Sequence, residues 1–372
     1  MSKTDPKNII IPKELLPKDG RFGSGPSKIR PEQLNYLNKN TNLLGTSHRQ
    51  APIKNLVASI QEKFTQLFEL PDDYEVILTN GGASLMWDAA TFSIIEEKSA
   101  HATYGEFSSR FAKISENAPH LKEPTIINAE PGGAGYLNAS DEIDTYALTH
   151  NETSTGVMIE PYRVGNENSV VMIDATSGAG SKRVDANLYD MYYFSLQKSF
   201  GSEGGLVFAL CSPKMIERIS RIDRYAPAIL DLKTTIDNSR LHQTLNTPSL
   251  STLFLADSQL NWMLENGGMS FCEERTKESS SQLYDWAIAN DLTSPFVNDE
   301  ALRSVVSVTI DLDSSIDFED VVSALRANGI VDCDPYRKLG KNQIRIATFP
   351  GIDPSDIGQL IKCLDFVFSE IS

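Results

Sequence analysis

Tyr192-Tyr193-Phe194-Ser195-Leu196-Gln197-Lys198-Ser199-Phe200-Gly201 is the stretch on which the reading of this chain turns. Its first half is apolar and aromatic, the composition of a strand buried on both faces. Lys198 stands at the exit of that strand, just before a glycine turn, and Glu203-Gly204-Gly205-Leu206 then opens another apolar strand. Most lysines are solvated surface charges, but surface lysines seldom sit between two buried strands. An amine held in a desolvated site has a lowered pKa and forms Schiff bases with carbonyls.

Working outward, Val170-Val171-Met172-Ile173 runs into Asp174, 24 residues before Lys198. A carboxylate at the end of a buried strand is costly unless it finds a charged or hydrogen-bonding partner. A helix cap or a turn would also account for an aspartate there. Paired with Lys198, however, it suits pyridoxal phosphate (PLP) chemistry, in which a carboxylate keeps the pyridine nitrogen protonated so that the ring can accept electrons. Gly81-Gly82-Ala83-Ser84 follows the strand at 75–78 and precedes a helical run at 83–92. Such a turn offers backbone N–H groups and a positive helix end to a phosphate, although many glycine turns only connect elements. His150-Asn151-Glu152-Thr153-Ser154-Thr155-Gly156 is a polar run after a strand, in which the Thr153 hydroxyl could meet the cofactor's phenolic oxygen.

The 372 residues suggest about two domains. Apolar (40%) and charged (23%) fractions are those of a globular protein. A net charge of −16, from 34 basic and 50 acidic residues, argues against nucleic acid or an anionic membrane as the main partner. No apolar run reaches membrane-helix length, and residues 1–11 lack the apolar stretch of a signal peptide. Cys211, Cys272, Cys333 and Cys363 are widely spaced, so neither a disulfide framework nor a metal site is expected, and a cytoplasmic setting is.

Along the chain, residues 1–21 read as an extended N-terminal arm. From 22 to 269, short apolar strands (75–78, 125–128, 147–149, 170–173, 192–195, 206–210) alternate with helical patterns, which predicts an α/β unit with a mostly parallel sheet covered on both faces. From 270 to 372 the pattern changes to a long helix (273–290), a strand (304–310), a helix (316–328) and a strand (343–347). A last helix follows, with Asp353 as N-cap and Pro354 at its first position. This reads as a small α+β C-terminal domain.

Taken in order, several stretches are similar to phosphoserine aminotransferases, in particular the actinobacterial type. They are Phe22-Gly23-Ser24-Gly25-Pro26-Ser27, Gly45-Thr46-Ser47-His48-Arg49, Thr79-Asn80 with the 81–84 turn, 150–156, 173–180, Gln197-Lys198, Gln243-Thr244-Leu245-Asn246-Thr247-Pro248 and 329–345. The resemblance covers nearly the whole chain. It implies the aspartate-aminotransferase-like PLP fold (fold type I), and transfer of the amino group of L-glutamate to 3-phosphohydroxypyruvate, giving O-phosphoserine for serine biosynthesis. The family also acts on 4-phosphohydroxythreonine in vitamin B6 synthesis. By resemblance, Lys198 carries the cofactor, Asp174 faces the pyridine nitrogen, Thr153 the phenolic oxygen, and Ala83, Ser84 and Gln197 the phosphate. Phe107 would stack on the ring, where many members have tryptophan. Asn246 and Thr247 would reach the phosphate of a neighbouring subunit, which implies a homodimer with shared sites.

The substrate end is implied by a handful of cations in an acidic chain. Arginine suits carboxylate and phosphate because its planar fork donates two parallel hydrogen bonds. Arg345 resembles the α-carboxylate ligand, while His48, Arg49 and Arg337 would hold the phosphate or the γ-carboxylate in one pocket. Part of the family has a His-Arg pair where this chain has Tyr336-Arg337. Rival readings are another enzyme of this fold, such as an alanine–glyoxylate aminotransferase or a cysteine desulfurase, and a non-catalytic binding protein on the same fold.

Overall fold

The computed structural model describes residues 5–371. Its strands in chain order are β1 (Glu75–Asn80), β2 (Ser99–Thr103), β3 (Thr125–Asn128), β4 (Thr145–Thr149), the short pair β5 (Asn151–Glu152) and β6 (Val157–Met158), β7 (Val170–Asp174), β8 (Met191–Ser195), β9 (Leu206–Cys211), β10 (Thr293–Pro295), β11 (Ser307–Leu312) and β12 (Gln343–Ala347). The first five helices are α1 (Pro31–Lys39), α2 (Ala51–Leu67), α3 (Leu85–Ser93), α4 (Glu106–Glu116) and α5 (Pro213–Arg221). They are followed by α6 (Leu232–Arg240), α7 (Leu250–Glu265), α8 (Gly268–Ala289), α9 (Phe318–Ala327) and α10 (Pro354–Ile371).

Seven strands form one sheet in the order β1-β9-β8-β7-β4-β2-β3, in which β9 runs against the others. This is the mostly parallel α/β sheet expected. Because both faces are covered, β7, β8 and β9 are buried at every position. Even so, the two-residue period of a strand still sorts their side chains. Val171, Ile173, Tyr192 and Phe194 join the core under α2 and α7, where Phe64 meets Phe194 at 5.1 Å and Phe208 at 4.9 Å between ring centroids. Val170, Met172, Met191 and Tyr193 face the other core, beneath α3 to α6. In α2 the buried residues Ile53, Leu56, Val57, Ile60, Phe64 and Leu67 recur every three or four positions, one stripe of a 3.6-residue helix.

A second, antiparallel sheet, β10-β11-β12, packs with α8, α9 and α10 in a separate core. From residue 5 the N-terminal segment is docked on this core. Ile9 and Ile11 are buried in it, Ile11 N donates to Asn328 Oδ1 (2.9 Å), and Asn328 Nδ2 donates to Ile9 O (2.8 Å). Residues 1–4 of the expected arm lie outside the described residues. The division expected between 269 and 270 falls in the first turn of α8. Asp353 stands just before α10 and accepts from Ser355 N at 2.9 Å, as the capping pattern requires.

Candidate active site

Three parallel strands end together. Thr149 closes β4, Asp174 closes β7, and Ser195 closes β8 three residues before Lys198; the register sets Thr149 beside Asp174 and Asp174 beside Tyr193. The crevice beyond the carboxyl ends of parallel strands is where open α/β sheets hold ligands. Here it is a cavity of about 460 Å³ whose lining brings together Ala83, Ser84, Phe107, Thr153, Asp174, Gln197 and Lys198.

Lys198 has some surface toward this cavity, while its amine is enclosed by protein and donates to Ser24 O. Burial and, to a lesser degree, nearby Arg345 lower the amine pKa to about 8 against the opposing pull of Asp174. Gly25 is in the left-handed region (φ +136°), and a Cβ there would lie 2.2 Å from Lys198 Nζ, so glycine is what lets the amine sit here. Asp174 is buried. Its Oδ1 accepts from Thr176 N (3.0 Å) and Thr176 Oγ1 (2.5 Å), and its Oδ2 from the indole N–H of Trp87 (2.9 Å). Burial pushes the Asp174 carboxyl above the ordinary carboxylate range, against the pull of these bonds.

At the other end, Gly81 turns the chain at φ +127° from β1 toward α3. Ser84 stands at the N-terminus of α3 with no capping bond from its side chain, and Gln197 Oε1 is buried without a hydrogen-bond partner. The Ala83 N–H donates to Ser195 Oγ at 2.7 Å. Thr153 Oγ1 donates to Ser177 Oγ (2.7 Å). Phe107 is in the first turn of α4, which is held by the buried Glu152 carboxylate. That group accepts from Ser108 N (2.9 Å), Ser108 Oγ (2.9 Å) and Ser154 Oγ (2.7 Å).

The remaining expected residues are placed apart from this lining. Arg345, on β12, borders it: its Nη1 donates to Thr153 O (2.9 Å), and its Nε is buried without a partner. Arg337 lies in a 3-10 turn, Arg337–Leu339, that lines a neighbouring cavity of about 630 Å³ with Asp317 and Asp334. His48 and Arg49 form a different group. Arg49 Nη1 donates to Gln243 Oε1 (2.8 Å), and His48 is buried with Nε2 unpartnered. Asn246 and Thr247 are exposed beside Asn80, whose Oδ1 accepts from Asn246 N (3.1 Å) and whose Nδ2 donates to Thr247 O (3.2 Å). One chain therefore does not bring His48, Arg49 and Arg337 into a single pocket.

The sequence reading did not single out Trp87, Thr176 or Arg110. Trp87 and Thr176 supply the hydrogen bonds to Asp174, and Arg110 places its guanidinium carbon 5.4 Å from the Trp87 ring centroid; all three line the cavity. Thr176 is two residues from Asp174, the local geometry in which a side chain bonds back to its neighbour, so it could have been found. Trp87, in an apolar helical run, looks like any core tryptophan.

The fold and this strand-end lysine–aspartate pair are those of an aminotransferase, and the chain belongs to the class-V aminotransferase family, whose profile matches residues 26–331. Among its relatives the likeness narrows to one enzyme. The chain is 50% identical to the phosphoserine aminotransferase of Rhodococcus jostii (strain RHA1) over 367 residues, covering 97% of this chain and 98% of that one. It is 52% identical to that of Corynebacterium glutamicum (strain R) over 362 residues, 96% of each. Among solved structures, the phosphoserine aminotransferase of Cytophaga hutchinsonii superposes with a TM-score of 0.87 at 23% identity, covering 93% of this chain and 99% of that one. That of Bacillus circulans subsp. alkalophilus gives 0.83 at 19%, covering 95% and 99%. The expected resemblance is borne out. Among the described residues, no helix is long and apolar enough to cross a membrane.

Proposed function

We propose that this chain is a PLP-dependent transaminase that takes the amino group of L-glutamate and delivers it to 3-phosphohydroxypyruvate, forming O-phosphoserine. The observation that carries the proposal is the enclosed Lys198 amine facing a buried Asp174 at the strand ends, in a chain alike over nearly its full length to enzymes named phosphoserine aminotransferase.

The residues present fit the cofactor. The uncapped Ser84 leaves a hydroxyl donor unspent at the N-terminus of α3, where a phosphate gains from the helix dipole, and the unpartnered Gln197 amide beside it would serve by turning its nitrogen to the phosphate. Asp174, raised by burial and making no ion pair among the described residues, suits a protonated ring nitrogen. When bound, PLP supplies an aldehyde that exchanges amines and a ring that takes up the electron pair left at the substrate's α-carbon. Lys198 presents a neutral amine to that aldehyde and, once released, removes the proton from the α-carbon and later returns one. Thr176 and Trp87 hold both Asp174 oxygens and offset part of what burial costs its charged form. Phe107 and Thr153 line the cavity, where the Phe107 ring would stack on the cofactor and the Thr153 hydroxyl would meet its phenolic oxygen. Arg345 takes the α-carboxylate common to both substrates.

The distal phosphate or γ-carboxylate needs further cations, and the placement of His48 and Arg49 away from the Lys198 cavity favours their coming from a second copy. Asn246 and Thr247 would come with them, since Arg49 bonds to Gln243 on that same segment. Exposed Leu44 (38%) and Leu241 (59%) flank the two stretches, an apolar rim suited to burial in a homodimer. A cytosolic setting agrees with four buried cysteines that carry free thiols. The test is a coupled assay with glutamate as donor and 3-phosphohydroxypyruvate, glyoxylate or pyruvate as acceptor. Preference for 3-phosphohydroxypyruvate is expected; preference for glyoxylate would replace this reading.

A further inference from the structure

Tyr336 precedes the 3-10 turn of Arg337–Leu339 and lines the neighbouring cavity, with its ring against two residues of the site. Its ring centroid is 6.0 Å from that of Phe107, tilted by 57°, and 5.5 Å from the guanidinium carbon of Arg345. One tyrosine thus touches both the aromatic that lines the cavity and the arginine assigned to the α-carboxylate. Arg345 has few other holds on its fork. Nη1 donates to Thr153 O, while Nε is buried with no partner. A guanidinium with a single hydrogen bond can swing about it, and an aromatic face within about 6 Å restrains it without occupying its donors. The hydroxyl of Tyr336 makes no hydrogen bond among the described residues, so the ring provides the hold. The turn is itself fastened, because Lys338 forms an ion pair with Glu106, the residue before Phe107.

We propose that Tyr336 is a positioning residue: its ring fixes the Arg345 guanidinium beside Thr153 with its free donors directed at the α-carboxylate, and couples that arrangement to Phe107. A hydrogen-bonding partner in place of the ring would consume the donors that the substrate needs. A histidine there would bring a titratable cation against Arg345. The aromatic face does neither.

This inference rests on the assignment of Arg345 to the α-carboxylate, and turnover by the unmodified protein together with its loss in Arg345→Ala checks that assignment separately. The test compares Tyr336→Ala with Tyr336→Phe, both at a half-exposed position where the chain should fold. In Tyr336→Ala, KM for glutamate and KM for 3-phosphohydroxypyruvate should rise together, roughly five- to tenfold, with kcat within about twofold. Binding of a non-reacting dicarboxylate such as maleate, measured by calorimetry on the cofactor-loaded protein, should weaken by the same factor, with the visible absorbance unchanged. Tyr336→Phe should recover both. The proposal is overturned if Tyr336→Phe is as impaired as Tyr336→Ala, which would give the role to the hydroxyl. It is equally overturned if the KM change is confined to the phosphorylated substrate, or if Tyr336→Ala binds maleate as the unmodified protein does.

Discussion

The cavity around Lys198 and the ledge around Arg49 are both polar, yet they are finished to different degrees. In the cavity the groups at the strand ends have partners from their own chain, Asp174 in Thr176 and Trp87, Lys198 in Ser24 and Thr153 in Ser177, while Gln197 Oε1, Ser84 and Arg345 Nε at its margins are left open. On the ledge, Arg49 is exposed and its guanidinium bonds, among the described residues, only to Gln243, His48 keeps a bare buried nitrogen, and Asn246 and Thr247 face solvent. A buried polar group without a partner costs stability, so a folded chain completes what it buries. What it leaves incomplete is exposed or awaits another molecule. The first region is assembled from one chain's residues; the second, on the proposal above, would complete a neighbour's site.

The strongest way to break this contrast is to attack the completed half. Lys198→Ala should lower turnover by about four orders of magnitude or more, since it removes both the amine that engages the cofactor and the general base. Folding should survive, because deleting a buried amine removes a desolvation cost; circular dichroism and sedimentation would verify that. Turnover near the unmodified rate would end the Lys198 assignment. Asp174→Ala should cost less, about two to three orders of magnitude, as a preorganised charge is lost while the nucleophile remains. An Asp174→Ala protein with full turnover would make Asp174 a structural group.

A smaller effect distinguishes the two ends of the substrate. Arg49→Ala should lower kcat/KM for 3-phosphohydroxypyruvate by about one to two orders of magnitude, the loss of one charge-assisted hydrogen bond, with the cofactor absorbance intact. Arg345→Ala should impair glutamate, phosphoserine and their keto acids alike, since all carry the α-carboxylate. Stopped-flow measurement of each half-reaction decides the matter. If Arg345→Ala harms only the phosphorylated substrates, the two ends have been exchanged.

Much of the first region was legible in the sequence because backbone regularity announces it. Apolar runs of four residues, Val170–Ile173 and Met191–Phe194, mark β7 and β8, and a charged residue at or just beyond the end of such a run stands out, as Asp174 and Lys198 do. The strand β2, Ser99-Ala100-His101-Ala102-Thr103, was missed because it is small and polar by composition. It is a buried strand only because β3 and β4 cover its edges and His101 pairs with Ser99. Trp87 was missed because its function lies in one N–H bond to a residue far along the chain. The separation of Arg49 from Arg337 was missed for a related reason. A resemblance aligns residues to a pocket without saying which copy of the chain supplies them.

The charge state of Lys198 gives an effect of about tenfold. Its pKa near 8, against the ordinary 10.5, leaves about a tenth of the amine neutral at pH 7, rather than a few molecules in ten thousand. The neutral amine is the form that attacks an aldehyde, so reloading of cofactor-free protein with PLP should speed up about tenfold between pH 7 and pH 9 and then level off. The same shift sets a stability trend for the cofactor-free chain. Between pH 8 and 10.5 the unfolded state binds more protons than the folded one, so this group adds stability as pH rises through that window. A reloading rate that keeps climbing to pH 10.5 would mean that the amine is not desolvated.

The smallest expected effect bears most directly on the contrast between the two regions. Co-express a Lys198→Ala chain with an Asn246→Ala/Thr247→Ala chain. If the loop serves the neighbouring subunit, each mixed dimer has one site with both lesions and one with neither, because the intact Lys198 meets the intact loop of the other chain. Random pairing makes half of the dimers mixed, and one site in two of those is whole, so activity should recover to about a quarter of the unmodified level. If the loop serves its own subunit, the mixed dimer holds one site without the lysine and one without the loop, and nothing is regained. The double loop variant must show a clear defect on its own for the comparison to count, and tagging the two chains differently allows the mixed dimer to be purified and assayed alone. No recovery in purified mixed dimers would return Asn246 and Thr247 to the chain that carries them and leave the exposed loop without a function in the neighbour.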